Sequence, residues 1–271
     1  MKPIAPESGP AYLFCPASRP DRYQKALDAA DFAILDLEDA VAPADKAAAR
    51  QGLIDNPVDP EAVIVRVNAI GTPDHALDLE TLVQTEYGRV MVPKAEDPDA
   101  IAKLGRYEVI ALCETARGVL RSPEIAGAPC VVALMWGAED LVASIGGRAS
   151  RRHDGSYLDV AIHARSTVLL AAAAAGKAAI DAVYIDINDE VGLEGEARDA
   201  ARSGFTAKSC IHPNQVPVVR SAFAPSDADL TWAAQILDHA DEGVHVVDGQ
   251  MIDGPLLAQA RRIVDIAHTD R

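Results

Sequence analysis

Short apolar runs alternate along this chain with alanine-rich or amphipathic segments, and that alternation sets the first expectation. Tyr12 to Cys15, Phe32 to Leu37, Val63 to Val67 and Arg89 to Val92 each read as a brief buried strand. Two further stretches, Val109 to Thr115 and Val131 to Leu141, begin as the apolar runs of doubly buried parallel strands. Each then turns abruptly to carboxylates, Glu114 in the first and Glu139 with Asp140 in the second. Ala182 to Ile185 and Phe205 to Lys208 complete a set of eight. Helical segments are predicted between them, over Asp21 to Ala30, from Pro43 onward, over Pro73 to Thr85 and over Val160 to Ala175. Such a βα repeat predicts an α/β protein, a (β/α)8 TIM barrel over residues 11–223, rather than a sandwich. In a barrel the carboxyl ends of all strands share one face, so residues collected at those ends converge.

The flanks read differently. Residues 1–10 carry three prolines and are expected to form an extended arm. Residues 224–271 form a C-terminal helical extension, too short for a domain. Ser226 or Asp227 caps a helix to about Asp241, Val244 to Val247 is a brief strand, and Gly249 to Pro255 (GQMIDGP) is a loop before a last helix. This tail can fold onto its own barrel or reach a neighbour's.

A chain of 271 residues fits one barrel of roughly 250 residues or two ordinary domains. With 49% hydrophobic residues there is material for a full core. Acids outnumber bases 41 to 25, and a net charge of -16 opposes binding to nucleic acid or to an anionic membrane surface. Lacking an apolar run of roughly 20 residues and any secretory layout at its start, the sequence is expected to be cytoplasmic. Its four cysteines, Cys15, Cys113, Cys130 and Cys210, show no CxxC or zinc-finger spacing and are expected to be small buried thiols. Neither a Rossmann glycine pattern, a P-loop nor a G-x-S-x-G elbow is present.

Chemistry concentrates at the strand exits. Glu114 and Asp140 are hard oxygen donors on adjacent predicted strands, suited to Mg2+ or Mn2+; the bland alternative is a pair of solvated acids. Glu38, Asp39, Glu139 and Asp186 are expected on the same rim, where mutual repulsion favours a cation. Arg66 interrupts an apolar strand and needs an anion, either Glu38 or a substrate oxygen. Gly137 and Ala138 let backbone N–H groups approach a bound anion, or simply serve a tight turn. Lys94 is weak evidence, and His212 and Asp186 are expected to serve local structure. Arg148, Arg151 and Arg152, in a basic loop of an acidic chain, are candidates to receive ligand phosphates, or belong to a solvated loop.

Taken together, the motifs LFCPASRP (Leu13 to Pro20), LDLEDA (Leu35 to Ala40), Arg66 with Asn68, PKAE (Pro93 to Glu96), ETARG (Glu114 to Gly118), GAEDL (Gly137 to Leu141), IHPNQ (Ile211 to Gln215) and GQMIDGP make the chain resemble the citrate lyase beta subunit family and its stand-alone acyl-CoA lyase relatives, within the HpcH/HpaI aldolase group. The resemblance implies a homotrimeric (β/α)8 enzyme that makes or breaks a carbon–carbon bond between an acyl-CoA thioester and a small oxo acid. It implies Mg2+ on Glu114 and Asp140, and substrate contacts from Arg66, Glu114, Gly137 and Ala138. Glu38 would orient Arg66 or a metal-bound water, and Asp253, supplied by a neighbouring subunit, would be the acid-base residue. An aldolase on free acids and a beta-type subunit needing an acyl carrier protein are the alternatives.

Overall fold

The computed structural model describes residues 2–240, 244–247 and 250–269. Its centre is a closed barrel of eight parallel strands in chain order. The first half runs β1 (Ala11–Pro16), α1 (Tyr23–Ala29), β2 (Phe32–Asp36), α2 (Lys46–Asp55), β3 (Val63–Arg66), α3 (Pro73–Leu82), β4 (Arg89–Val92) and α4 (Pro98–Ala102). The next turn holds β5 (Glu108–Cys113), α5 (Ala116–Leu120), α6 (Ser122–Ala126), β6 (Val131–Trp136), α7 (Ala138–Ser144) and α8 (Asp159–Ala174). Closing it are β7 (Ala178–Asp181), α9 (Glu190–Ser203), β8 (Ala207–Cys210) and α10 (Gln215–Phe223), with β8 pairing back onto β1.

Strand periodicity divides the core in two. Alternate residues, among them Tyr12, Phe32, Ile34, Ile64, Met91, Ile110, Leu112, Met135 and Ile180, fill the barrel interior. The residues between them, such as Leu35, Val65, Val90, Ala111, Leu134 and Trp136, meet the surrounding helices. At the amino-terminal end, fully buried Arg89 stacks 5.2 Å from the Phe32 ring, bonds Glu108 at 2.8 Å and donates to the Lys2 carbonyl at 2.6 Å. Glu108 thus neutralises, and the N-terminal arm helps to satisfy, a guanidinium whose unpaired burial would cost several kcal/mol.

Six of the eight strands fall where the hydrophobic pattern placed them, and two do not. Strand β7 lies at Ala178–Asp181, ahead of Ala182 to Ile185, and β8 at Ala207–Cys210, shifted beyond Phe205. A charge in each obscured it. Asp181 and Lys208 are register partners on β7 and β8, both fully buried, with Lys208 Nζ 2.9 Å from Asp181 and 2.8 Å from Glu196. Arg165 from α8 bonds Asp181 at 3.0 Å and the Trp136 indole donates to it at 2.6 Å. Burial alone would raise Asp181, but Lys208 and Arg165 hold it below the usual carboxylate range.

The cysteines are free, and Cys210 ends β8 rather than following it. Burial pushes the Cys15 thiol up to about 11 and those of Cys113 and Cys210 to about 12, so they are inert at neutral pH.

In the tail, α11 (Asp227–Leu237) starts with a capping box of Ser226 and Asp229 and packs against α12 (Gly254–Thr269). Ala233, Ile236, Ile252 and Ala260 give this pair its own small core, and α12 also touches the Pro6–Ser8 turn. Strands β9 (His245–Val247) and β10 (Gln250–Ile252) form an antiparallel pair, so part of the expected GQMIDGP loop is strand. Asp241 and Gly249 lie outside the described residues. No described helix is long and apolar enough to cross a membrane.

Candidate active site

The side-chain alternation that packs the barrel interior also builds the site one step further along each strand. Ile34 points inward, and so does Asp36; Ile64 leads in the same way to Arg66, Leu112 to Glu114, and Met135 to Gly137. These residues line a cavity of about 220 Å³ at the carboxyl ends of the strands, with Phe14, Ala138, Glu139, Asp140, Ala182 and Ile211 among the rest of the wall. Apolar and charged surfaces therefore meet in one concave space, as a small-molecule site requires.

Arg66 finds its anion on the neighbouring strand. Its Nε and Nη2 donate to the two carboxylate oxygens of Asp36 at 2.7 and 2.6 Å, a bidentate fork between register partners of β2 and β3. Glu38, the partner expected from the sequence, is secondary. Its Oε2 lies 3.1 Å from Nη1, near enough for ion pairing but outside hydrogen-bond geometry. Burial opposes the charge on Arg66, yet the Asp36 hydrogen bonds outweigh it and hold the guanidinium protonated. Glu38, at 6% exposure, is raised by burial in spite of both Arg66 and Lys94.

Lys94 is the residue the sequence undervalued. It sits just beyond β4 with φ of 49°, the one positive-φ position among the described non-glycine residues. From there its backbone N–H donates to Glu114 Oε1 at 3.0 Å. Its ammonium reaches Glu38 at 2.6 Å, Asp140 at 3.4 Å and Asp39 at 3.8 Å. A left-handed backbone at a lysine costs on the order of 1 kcal/mol, and here it lets one residue address four acids.

Glu114 is 3% exposed, and burial, then repulsion from Asp140 and Glu38, push its carboxyl up to about 8. A divalent cation between Glu114 and Asp140 would relieve that repulsion, and both are hard oxygen donors. Among the described residues no group of three His, Cys, Asp or Glu side chains is arranged to hold a metal ion by itself. Two carboxylates with the remaining positions left to water and ligand suit Mg2+ and suit zinc poorly. Gly137 serves closeness rather than a turn. Its φ of -135° is open to any residue, but a Cβ there would stand 2.9 Å from both Cβ and Oε2 of Glu114.

The remaining expectations divide. Glu139 turns aside to accept from Ser150 at 2.6 Å, and Asp186 accepts from the Asn188 N–H at 3.0 Å, so neither is held at the cation pair. His212 accepts from the Asn214 N–H at 3.2 Å, a local structural role. In the basic loop, two of the three arginines already have partners within the chain. Arg151 is taken by Glu196 at 2.8 Å and lies 3.8 Å from the Tyr157 ring, while Arg152 bonds Asp159 at 2.7 Å and the Tyr157 carbonyl. Only Arg148 stays exposed without such a role. Asp253 is outside the cavity wall of its own chain and accepts from the Leu256 N–H at 3.3 Å, capping α12.

Comparison with known proteins gives a consistent picture. The family model for HpcH/HpaI aldolase/citrate lyase matches residues 11–213. A citrate lyase subunit beta-like protein of Mycobacterium tuberculosis is 54% identical over 259 residues, 95% of each chain. The mitochondrial citramalyl-CoA lyase of Homo sapiens is 35% identical, covering 88% of this chain and 78% of that one. Among solved structures, the M. tuberculosis protein CitE in complex with magnesium, acetoacetate and coenzyme A superposes with a TM-score of 0.94 at 53% identity, over 96% of this chain and 98% of that one.

Proposed function

Because the chain belongs to the HpcH/HpaI aldolase/citrate lyase family of carbon–carbon lyases, we propose that it is a Mg2+-dependent lyase of 3-hydroxyacyl-CoA thioesters. Citramalyl-CoA, malyl-CoA and 3-hydroxy-3-methylglutaryl-CoA are its candidate substrates, each giving acetyl-CoA and an oxo acid. The observation that carries this reading is the single cavity walled by Glu114, Asp140 and Arg66. The M. tuberculosis complex with magnesium, acetoacetate and coenzyme A supports the same ligand classes.

In this reading Glu114 and Asp140 would hold Mg2+, which would supply Lewis-acid polarisation at the substrate oxygen. Arg66 donates to the oxygen on which charge develops, and Glu38, 3.1 Å from Nη1, keeps the guanidinium turned to the cavity. Gly137 and Ala138 admit the substrate's carboxylate against their backbone. As the hydroxyl proton passes to solvent water, the carbinol-to-α-carbon bond breaks and its electron pair passes to the thioester enolate. That carbon then takes a proton to become the acetyl methyl group.

Asp253 is assigned this proton transfer. Since it caps α12 away from its own cavity, it would act from the 224–271 extension of a neighbouring copy, in a homotrimer working in the cytoplasm. In a second reading the chain is a beta-type subunit to which an acyl carrier protein presents the substrate; similarity to a citrate lyase subunit beta of Leuconostoc mesenteroides supports the subunit part of it.

The test is to incubate the purified chain with Mg2+ and each candidate acyl-CoA and to follow acetyl-CoA release with and without EDTA. EDTA-sensitive release from one thioester is expected. Turnover of free hydroxy acids alone would replace the proposal with an aldolase, and turnover only with an added carrier protein would make it a subunit.

A further inference from the structure

Asp36 has no role in the reading above, yet it makes more hydrogen bonds than any other carboxylate of the cavity wall. It is 1% exposed and accepts four: Arg66 Nε at 2.7 Å, Arg66 Nη2 at 2.6 Å, and the N–H groups of Glu38 at 2.9 Å and Ala40 at 3.0 Å. The two backbone donors fix the carboxylate, and the fixed carboxylate in turn fixes the plane of the guanidinium. The Phe14 ring, 4.9 Å from the guanidinium carbon, bounds Arg66 from another side. What is left of the guanidinium for a ligand is the Nη1 end, which Glu38 Oε2 approaches to 3.1 Å without a hydrogen bond.

Buried ion pairs are often no better for stability than an apolar pair, so mere neutralisation explains this arrangement poorly. Geometry explains it better. A donor meant for a developing oxyanion must stand in place before the reaction, and an arginine side chain has enough rotatable bonds to miss that place.

We propose that Asp36 is a positioning residue, which holds the side edge of Arg66 so that its Nη1 end alone meets the reacting oxygen of the substrate. The carboxylate of the oxo acid is then left to the backbone at Gly137 and Ala138. This rests on the lyase reading for the identity of the substrate, but the orientation of Arg66 can be tested without it.

Two variants separate positioning from neutralisation. Asp36→Asn keeps the shape and loses the charge; Asp36→Glu keeps the charge and displaces the fork by one methylene. Positioning predicts that both lower kcat for acetyl-CoA release by about 100-fold, the scale of one lost oxyanion donor, while Mg2+ affinity measured by calorimetry stays within about threefold. Crystal structures of the two variants should show the guanidinium rotated away from its present plane. Wild-type kcat in Asp36→Glu, or an unmoved guanidinium in either variant, would overturn the inference; if Asp36→Asn does not fold, Asp36→Glu decides. Should the wild-type chain release no acetyl-CoA at all, the lyase reading fails, and the crystal structures still decide the role of Asp36.

Discussion

Gly137→Ala isolates contact from backbone conformation at the heart of the site. The residue sits at φ -135° and ψ 128°, where alanine is as comfortable as glycine, so no left-handed strain enters. The new methyl carbon would instead stand 2.9 Å from Cβ and 2.9 Å from Oε2 of Glu114, with Leu112 at 3.7 Å behind. The carboxylate end can swing, but Cβ of Glu114 is tied to β5 and cannot. Overpacking of this kind costs about 1–3 kcal/mol. For a chain of this size that lowers the melting temperature by roughly 2–4 °C per kcal/mol.

The functional consequence is separate. Relief of the clash moves Glu114 off the Lys94 N–H, now 3.0 Å away, and spoils its meeting with Asp140. A misplacement worth about 1.4 kcal/mol weakens Mg2+ binding tenfold. Calorimetric titration of Mg2+ into wild type and Gly137→Ala, beside differential scanning calorimetry, reads both effects. Unchanged Mg2+ affinity in a variant whose melting point has fallen would refute the placement of the cation at Glu114.

Other expectations follow from the same coordinates. Gly195→Ala, inside α9 with nothing within 4 Å of the added carbon, should raise stability by about 0.5–1 kcal/mol in urea melts. Lys94→Met takes from Glu38 its 2.6 Å partner and should slow acetyl-CoA release at least about tenfold, whereas an unchanged rate would show the ammonium to be idle. Lys208→Met breaks a fully buried pair and should cost about 3–5 kcal/mol, a large share of a typical total of roughly 5–15, seen as a collapse of the denaturant midpoint. The same pair shapes the pH profile. Asp181 is depressed below 3.8, so its stabilisation is complete above that pH and is lost as pH falls through its lower folded value. Lys208 is raised above 10.5 by Asp181 and Glu196 against the pull of burial, so its share holds below 10.5 and is lost above. The contribution of this pair should therefore be level between about pH 4 and 10, and a loss of thermal stability of the wild type near pH 7 that Lys208→Met abolishes would contradict it.

Most of this fold could be read from apolar runs because a doubly buried parallel strand leaves little choice of residue, as FAILD and VVALMW show. The site was legible where the run ended in a carboxylate, at Glu114 and Asp140. It was obscured at Asp36, a charge within the strand itself, although Arg66, placed alike on β3, stood out. Asp36 belongs to β2 by backbone and to the cavity by parity. Counting two onward from Ile34 would have found it, and counting two from Ile64 would have shown Arg66 beside it. Lys94 had no such signal, since its importance lies in a positive φ that no side-chain pattern announces.

Asp181 and Lys208 were hidden by their own pairing. Each alone reads as the end of a strand, and only together, as register partners facing the helices, do they become core. The same parity sorts the two sets of charges by purpose. Asp36, Arg66 and Glu114 face the barrel axis and line a cavity a ligand can enter, while Asp181 and Lys208 face outward into packed helices. A pair sealed between layers can only be kept or broken, so its loss should appear in stability first. A pair opening on the cavity has a third partner to receive, so Arg66 and Asp36 should register their loss first in kcat.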